Sequence, residues 1–387
     1  MSRARAVDSD VSSVGARRPS VAVVGGGVAG MSAALSSARS GAETTLLERT
    51  AELGGVWRAG LGFPVCGWFD DAGKLLNEGL CRELFEAVGG QATRMGRTWV
   101  WPGPAERLTE VFRDRLAAEP RLRVLTKTAA TEIERDAAGR VVRVGTNAGD
   151  LAVDAVVDCS GEAVATRLAG ASILKPDRLP LAGFSVRLRG VDASDELLPL
   201  KVAHVLRDAP SPVYARFASF APPDLLKLAV APTCAVAEAR RAATTTLEAL
   251  RAALPAFARA EAAAFSPEPL RREGIRMRGR HVLTKEELLS GKRVADAAAR
   301  CAWPVEYWDP ERGPQLEYFS AGTHGEVPAD CLISSDCPNL LAAGRCLSAT
   351  SGALASLRVA GVCIATGEAA GRLAANVAGE SGASFRA

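Results

Sequence analysis

The sequence predicts an α/β chain built on a Rossmann-like dinucleotide-binding domain, and three features predict it. A β-branched run, Ser20–Val24, leads through glycines into an Ala/Ser/Leu-rich helical segment that ends near Ser40. A second strand, Glu43–Leu47, stops at an acid, Glu48. Three short alternating strands over 131–135, 141–145 and 151–157 follow around Ala-Gly turns, as expected of a β-meander covering one face of a sheet.

The first strand and its helix carry the most specific signal. Gly25, Gly27 and Gly30 fall on G-x-G-x-x-G. The first glycine serves the tight turn, the second lets backbone approach a pyrophosphate, and the third lets the helix pack on the sheet. Val28, Ala29 and Gly30 open that helix, whose free N–H groups and positive dipole end suit phosphate. Glu48 comes eighteen residues after Gly30, where a carboxylate accepts from ribose hydroxyls and favours an unphosphorylated adenosine ribose. No second G-x-G-x-x-G follows another strand, which argues against a separate NAD(P)H domain. The nine cysteines include no C-x-x-C pair, so neither a dithiol relay nor a zinc knuckle is expected, and no metal site is assigned.

Past the second strand the motifs become more particular. Glu48-Arg49 with the Leu53-Gly54-Gly55 loop resembles FAD-binding flavoproteins of the glutathione reductase and p-hydroxybenzoate hydroxylase type. Asp158-Cys159-Ser160-Gly161-Glu162 is similar to the Asp-Ala-Thr-Gly-Asp segment that returns such chains to FAD. Gly344-Arg345-Cys346-Leu347-Ser348-Ala349-Thr350, after a buried strand over 339–343, is similar to their third FAD contact. With the later Gly367-Glu368-Ala369-Ala370-Gly371, the chain resembles the FAD-dependent oxidoreductase family, near the glucose-inhibited-division and succinate-dehydrogenase-like flavoproteins, over most of its length. Val327-Pro328-Ala329-Asp330 and Pro304-Val305-Glu306-Tyr307-Trp308 depart from the family pattern in the substrate-proximal half.

The resemblance implies FAD as cofactor and a Rossmann-like FAD-binding domain with a three-strand β-meander and an inserted α+β substrate domain. It implies cofactor contacts at Gly25, Gly27, Val28, Ala29, Gly30, Glu48, Arg49, Gly54, Gly55, Ala130, Ser160, Gly161, Gly344, Arg345, Ser356, Leu357 and Arg358. The corresponding layout is a disordered leader (1–19), the first part of the FAD domain (20–162), a substrate domain (163–328), the second FAD part (329–378) and a tail (379–387). Within the first part, 56–104 is a loop-and-helix excursion, 105–118 a helix and 121–126 a strand.

In the substrate domain, 183–188 and 213–220 read as strands. Leu247, Leu250, Leu254 and Phe257 form an apolar stripe at helical spacing that Pro255 breaks. The Ala-rich segment 258–265 reads as helix, and a final helix is expected over about 356–375.

Composition bounds the partners. The formal charge is +3, with acids and bases interleaved, so no nucleic-acid surface is expected. No apolar run approaches the ~20 residues that cross a bilayer. Nine cysteines in a chain of this size suit a reducing cytoplasm, and the partner expected is a small-molecule substrate, with the oligomeric state open. Three residues are candidates for the chemistry. Arg358, in the final helix, either supplies positive charge near the flavin or pairs with a structural carboxylate. His324 is either a general base or an exposed loop histidine, and Arg276 either binds a substrate carboxylate or braces the domain interface. Cys66 either approaches the flavin or packs as a buried thiol, and His281, Glu306, Tyr307 and Tyr318 are further groups whose geometry sequence does not reveal. The expected reaction is hydride transfer from a small organic substrate to flavin N5, by a dehydrogenase or oxidase. A monooxygenase fed by NAD(P)H and a non-redox flavin-bound binding protein are the alternatives.

Overall fold

The computed structural model describes residues 17–61, 64–176, 178–207, 214–218 and 225–384. Most of the expected leader, and the end of the expected tail, lie outside the described residues.

Strand β1 (Ser20–Val24) passes through the glycines into helix α1 (Val28–Arg39), and β2 (Glu43–Leu47) returns parallel to β1. An excursion with a small three-stranded sheet precedes helix α2 (Ala105–Ala117) and strand β3 (Leu122–Leu125). The meander follows as β4 (Ala130–Arg135), β5 (Val141–Thr146) and β6 (Gly149–Ala152), and β7 (Ala155–Asp158) rejoins the main sheet. The single strand expected over 151–157 is therefore two. The chain leaves the meander at Asp154, whose carboxylate accepts the Ser20 N–H at 2.8 Å while its carbonyl accepts from Asn339 Nδ2 at 2.8 Å.

The inserted part holds an antiparallel sheet of β8 (Ala182–Arg189), β9 (Tyr214–Ala218), β10 (Leu225–Val230) and β11 (Glu261–Phe265), in the order β9-β10-β8-β11. Helix α3 (Val236–Ala253) buries Leu247 and Leu250 against one face, and Pro255 opens a short 3₁₀ turn that brings in Phe257. Strand β11 corrects the helix expected over 258–265. Alanine favours helix weakly, and the open edge of β8 offers this segment a ladder of backbone partners instead.

Strand β12 (Val305–Asp309) forms a hairpin with the strand over Gly313–Glu317, β13 (Leu340–Ala342) re-enters the main sheet, and the short helix α4 (Ser351–Leu357) precedes the long α5 (Ala360–Ser384). The helix expected over 356–375 thus begins later and is preceded by a 99° elbow, which leaves Ser356 and Leu357 at the end of α4 and Arg358 as its C-cap. Residues 379–384, assigned to a tail, continue α5. Among the described residues no single helix is long and apolar enough to cross a membrane.

The five strands of the main sheet run parallel in the order β13-β7-β1-β2-β3. Strand alternation divides their side chains between two cores. Val21, Val23, Leu46, Val157 and Leu341 pack toward α1 and α5. Ala22, Val24, Leu47, Val156 and Leu340 pack toward Ile133, Val141 and Val144 of the meander. Helices α1 and α5 meet through small residues: a Cβ placed on Gly367 or Gly371 would lie 2.2 or 2.1 Å from the carbonyl oxygen of Ala29 or Ala33. That backbone-to-backbone approach is the physical content of the 367–371 motif.

Candidate functional site

The site grows from the turn between β1 and α1. Gly25 has φ +105°, and a Cβ there would sit 2.6 Å from the Cys159 carbonyl oxygen; one on Gly30 would sit 1.7 Å from the Gly25 oxygen. Both positions are closed to side chains by packing. Gly27 is different, because a Cβ there meets no atom within 4 Å. The N-terminus of α1 faces that open space with no side-chain cap. Glu48 is buried at the end of β2, with Oε2 accepting the Gly26 N–H at 2.8 Å and Oε1 the Thr50 N–H at 2.7 Å. These two bonds fix the carboxylate and leave each oxygen a second lone pair. Open backbone at Gly27, an uncapped helix start and an oriented acid at the next strand end fit an adenine dinucleotide.

Three further segments converge on this turn. Gly54 N–H donates to the Gly26 carbonyl at 2.8 Å, and a Cβ on Gly55 would lie 3.1 Å from Gly27 Cα, so the Leu-Gly-Gly loop covers the glycines. The backbone of Thr128, just before Ala130, donates to the Glu48 carbonyl at 2.9 Å. Cys159 N–H donates to the Val24 carbonyl at 2.8 Å and brings Ser160 and Gly161 alongside. Arg49, by contrast, turns outward toward Glu268, 4.0 Å away, with its side chain 76% exposed.

Asp158, fully buried, organises the next layer. Its Oδ2 accepts from Thr166 N (2.8 Å) and Oγ1 (2.9 Å), and its Oδ1 accepts from Ser160 Oγ at 2.6 Å. Gly161 N–H reaches Cys346 Sγ at 3.0 Å, and the Arg345 guanidinium lies across Gly161 and donates to the Arg271 carbonyl. Ala130, Ser160, Gly161, Gly344 and Arg345 are thus carried on the segments that border the glycine turn.

Arg358 stands at the elbow between α4 and α5. Its Nη2 donates to the Glu306 carbonyl at 2.7 Å, and burial lowers its proton affinity against the pull of Glu306 and Glu273. The Glu306 carboxylate accepts from two indoles, Trp308 Nε1 at 2.6 Å and Trp303 Nε1 at 3.1 Å. Burial pushes its pKa up, yet Arg358, Arg272 and the two indole N–H groups more than offset this and hold it below the usual glutamate value. Sequence named Glu306 without a role; two tryptophans within three residues on either side of it were the available signal. Burial raises the Cys66 thiol to about 12, with the charge of Glu306 adding to the rise and those of Lys227 and Arg358 opposing it. Ser356 is buried, its hydroxyl donating to the Trp303 carbonyl, so it presents no free group at a helix start.

The other two catalytic candidates have different surroundings. Arg276 is buried in an ion pair with Glu273, which also accepts from Ser351 Oγ on α4. It braces the 271–277 segment against the elbow. His324 meets Arg293, Arg300, Glu326 and Asp70, none of which is among the groups around Arg358. Burial, then Arg293 and Arg300, lower its pKa.

Open surface hollows of about 650 and 350 Å³ occur elsewhere, lined by residues such as Phe69 and Arg82 and by Asn77 and Glu368. Neither touches the glycine turn.

Residues 20–178 and 211–387 match the family model described as FAD dependent oxidoreductase. No curated protein matches the chain in sequence. Among solved structures, a glycine oxidase from Bacillus cereus is similar at 14% identity and a TM-score of 0.45, over 94% of this chain and 96% of that one. A probable FAD-dependent monooxygenase from Pseudomonas aeruginosa is similar at 14% identity and a TM-score of 0.42, over 90% of this chain and 84% of that one.

Proposed function

The chain belongs to the FAD-dependent oxidoreductase family, and from that premise we propose that it oxidises a small organic substrate by hydride transfer to flavin N5. FAD, when bound, supplies a two-electron acceptor whose reduction places negative charge on its N1–C2=O edge. The chain's own residues divide the remaining work. The α1 N-terminus and the open backbone at Gly27 hold the pyrophosphate, Glu48 accepts from the adenosine ribose, and Arg345 balances phosphate charge. Arg358, beside the N-terminus of the 25-residue α5, supplies positive potential where charge develops. Glu306 acts as a positioning residue that keeps Arg358 in place.

The observation that carries this reading is the Arg358–Glu306 arrangement at the elbow. The guanidinium is oriented before reaction by the main-chain carbonyl of Glu306, a residue whose carboxylate two indoles lock. Preorganised charge of this kind lowers a barrier without reorganisation during the step.

The test is an absorption spectrum before and after acid precipitation, then anaerobic titration with organic substrates, NADH and NADPH. Flavin bands released by acid and bleached by one class of organic compound are expected. Bleaching only by NADH or NADPH, with rapid oxygen uptake, would replace this reading with a monooxygenase. A bound flavin that nothing bleaches would leave a non-redox role.

A further inference from the structure

The inserted sheet reaches the cofactor side through a side chain of β8. Phe184, Val186 and Leu188 of that strand pack into the core beneath α3, so strand alternation turns Arg187 to the opposite face. There its Nη2 donates to the Leu61 carbonyl at 2.7 Å and meets Glu106 Oε1, in the first turn of α2, at 3.1 Å. Both partners belong to the first FAD part. The Arg187 side chain is 34% exposed and that of Glu106 56%, so water screens the ion pair and the bond to the carbonyl is the firmer tie.

Leu61 ends the strap that covers the glycine turn. Gly54 N–H donates to the Gly26 carbonyl at 2.8 Å, Gly55 lies against Gly27, and a short helix, Gly55–Ala59, carries the chain on toward Leu61. The strap is thus fixed at its start by a backbone bond and in its middle by Trp57, which is buried in the main core. At its end Leu61 holds φ +62°, a left-handed conformation that a residue with a Cβ keeps only where its surroundings impose it. The Leu61 N–H closes the turn on the Arg58 carbonyl at 3.0 Å, and the Leu61 carbonyl is held by Arg187. Loss of Arg187 therefore frees the last peptide of the strap from a conformation it does not favour by itself.

We propose that Arg187 is a positioning residue for cofactor retention: from the substrate domain it holds the 54–61 strap closed beside the pyrophosphate site, so that the grip on FAD depends on how the insertion is docked. The proposal rests on FAD as the cofactor and is independent of the substrate and of the reaction it undergoes.

The experiment uses the purified holoenzyme. Free FAD is collected by rapid ultrafiltration at intervals after dilution, and backbone hydrogen exchange is followed by mass spectrometry in peptides covering 54–61 and 20–39. Arg187→Met should speed FAD release by about threefold to tenfold, the range of one hydrogen bond. It should also speed exchange in the 54–61 peptide while leaving that of β1 and α1 unchanged, which a general loss of stability would not do. Arg187→Lys, which keeps a charged donor, should recover part of the loss. Glu106→Gln, which leaves the Leu61 bond in place, should have a smaller effect than Arg187→Met. FAD release from Arg187→Met at the unsubstituted rate overturns the proposal. So does faster exchange spread evenly over both peptides, or an effect of Glu106→Gln as large as that of Arg187→Met, which would make the ion pair and not the strap the working contact.

Discussion

Gly27 and Gly30 lie three residues apart in one turn, yet a side chain meets opposite conditions at them. Gly27 has φ −71° and ψ 179°, an extended backbone open to any residue, with free space where a Cβ would go. Gly27→Val is therefore expected to leave the apoprotein folded and to abolish FAD retention by occupying the space the pyrophosphate needs. A yellow variant with full flavin content would refute the assignment. Gly30→Ala should instead lower apoprotein stability, because its Cβ collides with the Gly25 carbonyl; melting curves of the two apoproteins distinguish the cases. Glu48→Ala should weaken FAD by about 1–3 kcal/mol, the worth of a charged hydrogen bond, read from the dissociation constant by equilibrium dialysis. His324 belongs to stability. Its folded pKa is depressed, so as pH falls below about 6.5 the unfolded chain takes up a proton first and stability is lost. His324→Gln should flatten the decline of Tm on the acid side, and an unchanged profile would contradict the inferred burial.

Among the elements, α5 does two things that its apolar composition did not reveal. Its Gly367 and Gly371 let it lie on the carbonyls of α1, and its start turns through 99° from α4. Gly371→Leu forces a side chain onto the Ala33 carbonyl and should cost about 1–3 kcal/mol, measured as a lower urea midpoint with unchanged slope. The glycine spacing was legible in sequence, whereas the elbow was not. Residues 356–375 read as one helix, and the break at its start is set by contacts from elsewhere: Arg358 is drawn to the Glu306 carbonyl, and Gly361 is pressed against Gly67. The strand β11 was misread for a related reason, since an alanine-rich segment obeys the sheet edge it meets.

At the scale of the whole molecule, the buried Glu273–Arg276 pair joins the 271–277 segment of the insertion to α4 through Ser351. Arg276→Met leaves a buried carboxylate without its cation and should destabilise the protein by about 3–5 kcal/mol, and the further change Glu273→Gln should recover part of that loss in a urea titration. A cost of Arg276→Met no larger than that of a surface substitution would show that the pair is solvated. Sequence offers bracing as one of two roles for Arg276 but not the third member of the brace, because the Ser351 hydroxyl that donates to Glu273 comes from seventy-odd positions later. What the sequence by itself determined is the cofactor-side framework: strand, glycine turn, helix and terminal acid follow from local periodicity and from spacings that only glycine can satisfy at close backbone approach. What only the tertiary structure decided is which charged groups stand together. Glu306 lies on β12 and Arg358 at the bend between α4 and α5, His324 falls outside their company, and no spacing along the chain encodes that selection, because it is made by the packing of a strand against a bend between two helices.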